Sequence, residues 1–265
     1  MSRDLVVALS GGIGGAKLAL GLSRILPADD LIVVANVGDD FEHLGLHISP
    51  DADTLMYTLA GLDNSKLGWG RQDETWAFME TLTALGGEDW FRLGDCDLAV
   101  HVERTRRLRQ GETLSAITAD FCRRLGVGPR VLPATDDRLR TRLRADEGWL
   151  DFQDYFVRLQ CRPVVRELAF DGAEHARPHP DLLAALRDER LRDRIHLQPV
   201  VRPPRGGGGV GVQGESLQDA PEAHPFGIEE PSAVARLQDE RFHAWIIAQK
   251  RDDQPSTVLR LCDDR

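Results

Sequence analysis

The feature that most constrains this chain is the stretch from Leu5 to Ala35, which reads as strand, glycine loop, helix and strand in immediate succession. Leu5-Val6-Val7-Ala8-Leu9 is a short continuous apolar run, as expected of a parallel strand buried on both faces. Ser10-Gly11-Gly12-Ile13-Gly14-Gly15 ends it. Leu18, Leu22, Ile25 and Leu26 then recur at helical spacing, and Pro27 with Asp29-Asp30 stops that helix before Leu31-Ile32-Val33-Val34-Ala35. This unit predicts an α/β fold with a doubly wound, mainly parallel sheet. In such a fold the crossover is right-handed and the strand carboxyl ends line the ligand crevice.

A chain of 265 residues suffices for one large α/β domain, or one domain and a tail. Helices are expected at Thr54–Leu62, Thr75–Leu85, Leu98–Leu108, Thr113–Leu125 and Asp181–Asp193, with strand signals at Val131-Leu132-Pro133 and Gly148–Phe152. After about residue 192 the character changes. Arg202-Pro203-Pro204-Arg205 and four glycines read as a linker, and 213–241 is polar, so 193–265 is expected to be an atypical, disordered or loosely attached tail. Within it, His243–Ala248 is the one helix candidate.

No apolar run approaches the roughly 18–20 residues of a membrane span, and the N-terminus lacks the apolar region of a signal peptide. Cys96, Cys122, Cys161 and Cys262 are widely spaced, without a CxxC pair, so neither a zinc site nor a disulfide framework is expected and a cytoplasmic location fits. A net charge of −10 argues against a nucleic-acid binder. Basic residues do cluster at 104–109, 123–130 and 138–144, which leaves room for a small anionic ligand.

Three clusters could carry chemistry. Ser10–Lys17 follows a strand and opens a helix, a context that favours a phosphate cradle of backbone N–H groups over a mere tight strand–helix turn. It matches neither the GxGxxG nor the Walker pattern in full. Asn36-Val37-Gly38-Asp39-Asp40 follows the second strand, and Asp51-Ala52-Asp53-Thr54 comes soon after. These carboxylates suit Mg²⁺ that bridges phosphates, or else they cap a helix and make a turn. The third cluster, Phe91 to His101, holds Asp95, Asp97 and a helical histidine. Trp69 and Trp76 either stack on a flat heterocycle or pack in the core. No Ser-His-Asp or Cys-His arrangement supplies a covalent nucleophile.

The segments SGGIGGAK, NVGDDFEHLGLHISPDADTLMYTLAGL, GWG, ETW, WFRLGD, RLRQGETLS, LPATDD and DFQDYFVR, in this order, resemble the 2-phospho-L-lactate transferase family of coenzyme F420 biosynthesis over residues 5–190. The resemblance implies a Rossmann-like three-layer αβα domain at 1–192. It also implies transfer of a phospholactyl, phosphoenolpyruvyl or phosphoglyceryl group from a guanosine-diphosphate-linked donor to the deazaflavin alcohol Fo, with Mg²⁺ and release of GMP. Asp53 matches the position that contacts Fo and is the catalytic candidate; Arg92, Trp69 and Asn36 are its substrate-binding companions. Asp39, Asp40 and Asp51 match the metal-binding acids, and Gly11, Gly12, Gly14 and Gly15 the nucleotide loop. A homodimer is a further expectation.

Two departures stand out. The family's Gly-Asp-Arg-Asp reads Gly94-Asp95-Cys96-Asp97 here, and its Pro-Ser-Asn-Pro and Ser-Pro-Ile-x-Gly-Gly segments do not follow residue 192. The shift near Arg194 reads as a change of reading frame or an altered terminus. Alternatives are therefore a non-catalytic nucleotide-sugar-binding regulator of the gluconeogenesis-factor type, or an inactive truncated product.

Overall fold

The computed structural model describes residues 4–64, 70–146, 148–201, 233–239 and 242–250. Strand β1 (Leu5–Ser10) passes through Gly11 directly into helix α1 (Gly12–Ile25), and β2 (Leu31–Ala35) follows. A hairpin of β3 (Phe41–His43) and β4 (Leu46–Ile48) comes next, then helices α2 (Pro50–Ala60), α3 (Ala77–Ala84), α4 (Asp95–Arg109) and α5 (Leu114–Arg124). Strand β5 (Arg130–Pro133) leads to three antiparallel strands, β6 (Arg140–Ala145), β7 (Gly148–Asp151) and β8 (Glu167–Asp171). Helix α6 (Pro180–Arg187) and strands β9 (Leu191–Val201), β10 (Ala233–Asp239) and β11 (Phe242–Lys250) complete the order.

The main sheet runs β10-β11-β9-β1-β2-β5. Its centre is parallel: β1 pairs with β2 (Val6 opposite Leu31, Ser10 opposite Ala35) and with β9, and β2 pairs with β5. β11 and β10 add antiparallel partners beyond β9.

Alternation along the central strands fills both faces, which is why they read as unbroken apolar runs. Ala8, Leu31, Val33, Ala35 and Val131 pack against Ala16, Ala19 and Leu22 of α1, Leu55 and Met56 of α2, and Ile117 and Phe121 of α5. Leu5, Val7, Ile32, Val34 and Leu132 face Leu182 and Ala185 of α6 on the other side. The result is the α/β fold with helices on both faces of a parallel sheet core. Each fully buried aliphatic side chain in it contributes about 1.5–3 kcal/mol.

Several expectations are corrected. Helix α2 begins at Pro50 rather than Thr54, because proline's fixed φ and missing N–H suit the first helical position. Asp51 and Asp53 therefore lie in its first turn and not on a loop. Helix α4 begins at Asp95, three residues before the apolar pattern starts. The segment 181–193 is divided: the helix ends at Arg187 and Leu191 opens β9. His243–Ala248 belongs to a strand, where Ile246 and Ile247 suit an extended chain paired with β9.

Candidate functional site

The site is organised by the N-termini of α1 and α2, which meet at the carboxyl ends of β1 and β2. At the start of α1, Gly11 is the extended residue before the helix and Gly12 takes a φ of 62°. That left-handed conformation favours glycine. The Gly12 N–H donates to Asp51 Oδ1 at 2.6 Å, and Asn36 Nδ2 donates to Asp51 Oδ2 at 2.8 Å. Asn36 Oδ1 in turn accepts from Gly38 N at 3.0 Å. One carboxylate thus ties together the glycine loop, the turn after β2 and helix α2. Gly15 serves a different purpose: a Cβ there would lie 2.2 Å from Ser10 Oγ, so its absence lets α1 press against β1.

Three expected acids gather in this corner. Burial, followed by the charges of Asp51 and Asp40, raises the Asp39 pKa to about 8 against a hydrogen bond from Asn36. Burial raises Asp51 to about 6, although its bonds from Asn36 and Gly12 pull the other way. Asp40 is buried; its Oδ2 accepts from Ser49 Oγ at 2.9 Å and lies 3.1 Å from His47 Nε2. Ser49 stands at the N-cap of α2, yet its hydroxyl is spent on Asp40 rather than on the helix. Asp40 Oδ1 has no hydrogen-bond partner among the described residues. Crowded carboxylates with a bare buried oxygen are a donor set of the hard kind that suits Mg²⁺.

Two residues further along the first turn of α2, Asp53 enters a separate buried cluster. Arg104 of α4 grips it with both terminal nitrogens: Nη1 donates to Oδ2 at 3.0 Å and Nη2 donates to Oδ1. Burial works against the Arg104 charge, but Asp53 beside it more than compensates and its pKa stays raised. Arg104 Nη1 also lies 3.2 Å from His101 Nδ1, and His101 Nε2 lies 3.3 Å from Asp97 Oδ2. Tyr57 donates its hydroxyl to Asp97 at 2.6 Å. Burial alone would raise the Asp97 pKa, but His101, Tyr57 and Arg104 together hold it below the usual range.

Asp53, Asp97 and His101 could offer three metal-ligand atoms within 4.8 Å of one another. That cluster already contains a cation, the Arg104 guanidinium, on both Asp53 oxygens. Among the described residues no arginine bonds to the carboxylates of Asp39, Asp40 or Asp51, so that group is the better fit for a divalent ion.

Helices α3 and α4 exchange caps nearby. Glu74, before α3, accepts the N–H groups of Cys96 and Asp97 at 2.7 and 2.9 Å. Asp95, at the start of α4, accepts those of Ala77 and Phe78 at 3.2 and 3.1 Å. Gly94 permits this, since a Cβ on it would stand 2.3 Å from the Glu74 carboxyl carbon. Arg92 lies outside the acidic corner, with its guanidinium carbon 4.5 Å above the Trp76 ring. Trp69 falls outside the described residues. Gly14 lies within α1, partly exposed. Sequence reasoning missed the roles of Arg104, Tyr57 and Glu74; Arg104 stood only as part of a basic cluster at 104–109, Tyr57 as a hydroxyl inside a helical pattern and Glu74 as an acid just before one.

Residues 6–191 match the family model described as 2-phospho-L-lactate transferase CofD. The chain belongs to the 2-phospho-L-lactate transferase family. Within that family, a Streptomyces avermitilis protein named phosphoenolpyruvate transferase is 44% identical over 186 residues, covering 68% of this chain and 58% of that protein. A Mycobacterium tuberculosis phosphoenolpyruvate transferase is 41% identical over 216 residues, covering 74% and 65%. The chain therefore spans less than two thirds of the length of these relatives. A solved Bacillus halodurans structure aligns with 70% of this family member and 56% of its own chain, at 15% identity and a TM-score of 0.45. No helix among the described residues is long and apolar enough to cross a membrane.

Proposed function

We propose that this chain moves a phosphoenolpyruvyl group, or its phospholactyl or phosphoglyceryl equivalent, from a guanosine-diphosphate-linked donor to Fo and releases GMP. The observation that carries this reading is the acidic corner of Asp39, Asp40 and Asp51 at the start of α1, with its bare Asp40 oxygen and its raised carboxyl pKa values. Family membership and the names of the relatives support the phosphorus-group chemistry.

In the proposed reaction the ribityl hydroxyl oxygen of Fo bonds to the donor phosphorus next to the three-carbon acid, and the bond from that phosphorus to the oxygen of GMP breaks. The hydroxyl proton passes to a carboxylate of the corner. Mg²⁺ held by Asp39, Asp40 and Asp51 would neutralise charge on the phosphates. Catalysis in such a displacement is mainly positioning and electrostatic stabilisation. Asn36 and Gly12 position Asp51 for it. Gly11 and Gly14 are proposed to border the nucleotide, and Arg92 the acceptor. Both Asp53 oxygens are engaged by Arg104, so the proposed contribution of Asp53 is to anchor the start of α2 behind Asp51.

Incubation with Fo, Mg²⁺ and each donor in turn, with GMP release followed by chromatography, tests the reading. Asp51→Asn should abolish GMP release in a protein that still folds. Absence of GMP release with all three donors would refute the proposal.

A further inference from the structure

Strand β6 carries arginines at 140, 142 and 144, which share one face of its three-stranded sheet. Two are neutralised there. Arg142 Nε lies 3.0 Å from Asp151, with Asp171 at 3.7 Å from Nη1, and Arg144 Nη2 lies 2.8 Å from Glu167. Arg140 stands opposite Asp171 in register, but that carboxylate is drawn to Arg142. Among the described residues Arg140 makes one hydrogen bond, to the Leu139 carbonyl at 2.8 Å, and no ion pair. A guanidinium has five N–H donors in a fork matched to oxyanions, so most of this one's capacity is unspent.

Its position gives that capacity a direction. β6 begins against the acidic corner: Thr141 N donates to the Gly38 carbonyl at 2.7 Å, and a Cβ on Gly38 would come within 2.9 Å of Thr141 Oγ1. Burial and the neighbouring Arg138 charge lower the Arg140 pKa, while Asp40, Glu42 and Asp151 stand close enough to oppose that effect. A partly desolvated cation is thus held beside carboxylates without bonding to any of them. An anion placed between the two would satisfy both, if a divalent ion covered the acids.

We propose that Arg140 binds the diphosphate of the nucleotide-linked donor. This rests on the transferase reading above and names a recognition residue for it. The anion is the diphosphate rather than the acid's carboxylate, because the neighbouring donor set is of the kind that bridges phosphates through Mg²⁺.

Calorimetric titration of the full chain with GDP and with guanosine, both in Mg²⁺, provides the test. Arg140→Gln should raise the GDP dissociation constant by about tenfold to a hundredfold and leave guanosine binding unchanged, since charge-assisted phosphate contacts are of that strength. Arg140→Lys, which keeps the charge but loses the fork, should fall between, and it decides the matter if the Gln variant melts early. Unchanged GDP affinity in both variants would overturn the assignment while leaving the transferase reading intact. An equal loss for guanosine would overturn it too, because Arg140 would then be shaping the nucleoside pocket. Failure of the unaltered chain to bind GDP would remove the transferase reading and the assignment together.

Discussion

Arg104 and Asp53, 51 residues apart in the chain, form a buried two-pronged ion pair that joins α4 to the first turn of α2. Breaking such a pair from one side leaves a charge without compensation, at a cost of about 3–5 kcal/mol. Arg104→Met should therefore destabilise severely in urea denaturation, whereas Arg104→Met combined with Asp53→Leu should recover part of the loss. A single variant as stable as the parent would show that the pair holds nothing.

The acidic corner sets a pH dependence. A carboxyl whose pKa is raised by folding favours the folded state at low pH, and that contribution is lost as pH climbs through the folded value. With Asp51 raised from 3.8 to about 6 and Asp39 from 3.8 to about 8, the metal-free protein should melt at progressively lower temperature from about pH 4 to about pH 8. Mg²⁺ competes with the same protons, so its stabilising effect should grow over that window. Melting curves with and without Mg²⁺ across the range check both trends; a constant Mg²⁺ effect contradicts the site.

Asp51→Asn separates stability from activity. It removes one of three crowded charges but also turns one of two acceptors into a donor, so the metal-free protein should change little in stability near pH 8, while GMP release and the Mg²⁺-dependent melting shift disappear. Asn36→Ala should show a milder form, with weakened Mg²⁺ binding from loss of the 2.8 Å bond to Asp51. Mg²⁺ titrations followed by melting temperature distinguish these outcomes.

Gly94→Ala should expel the Glu74 carboxylate from the start of α4. Loss of a cap costs about 0.5–2 kcal/mol, and the steric conflict at 2.3 Å adds to it. Glu74→Gln, which keeps its shape, should cost less. Hydrogen exchange at Cys96 and Asp97, whose N–H groups Glu74 accepts, should quicken in the glycine variant.

What could be read from the residues, and what could not, follows from the range of the interactions. The β1–α1–β2 unit was legible because its signals are local: unbroken apolar runs and a glycine loop. The gathering of Asp39, Asp40 and Asp51 was legible through the topology rule that places strand ends together. The β3–β4 hairpin was not, because its turn uses Leu44 at a φ of 52° before Gly45 at 71°, in place of the usual Asn-Gly or Asp-Gly. Arg104 was hidden for another reason. It sits in a run of basic residues that looks like a solvated helix face, and its partner is remote in sequence. Capping by Glu74 was hidden likewise, since it accepts from a different helix than the one it precedes.

The bond from Gly12 N to Asp51 has a consequence for the protein's lifetime. It fastens two helix starts to a carboxylate whose pKa burial raises to about 6, so on the proposed reading the fold holds that charge at some expense until a cation arrives. Occupancy and persistence then become one quantity: by mass action, molecules holding their ligands open less often. Proteases that attack opened chains would clear the idle molecules first. On the proposed reading, ligand supply would in this way help set how much protein is retained.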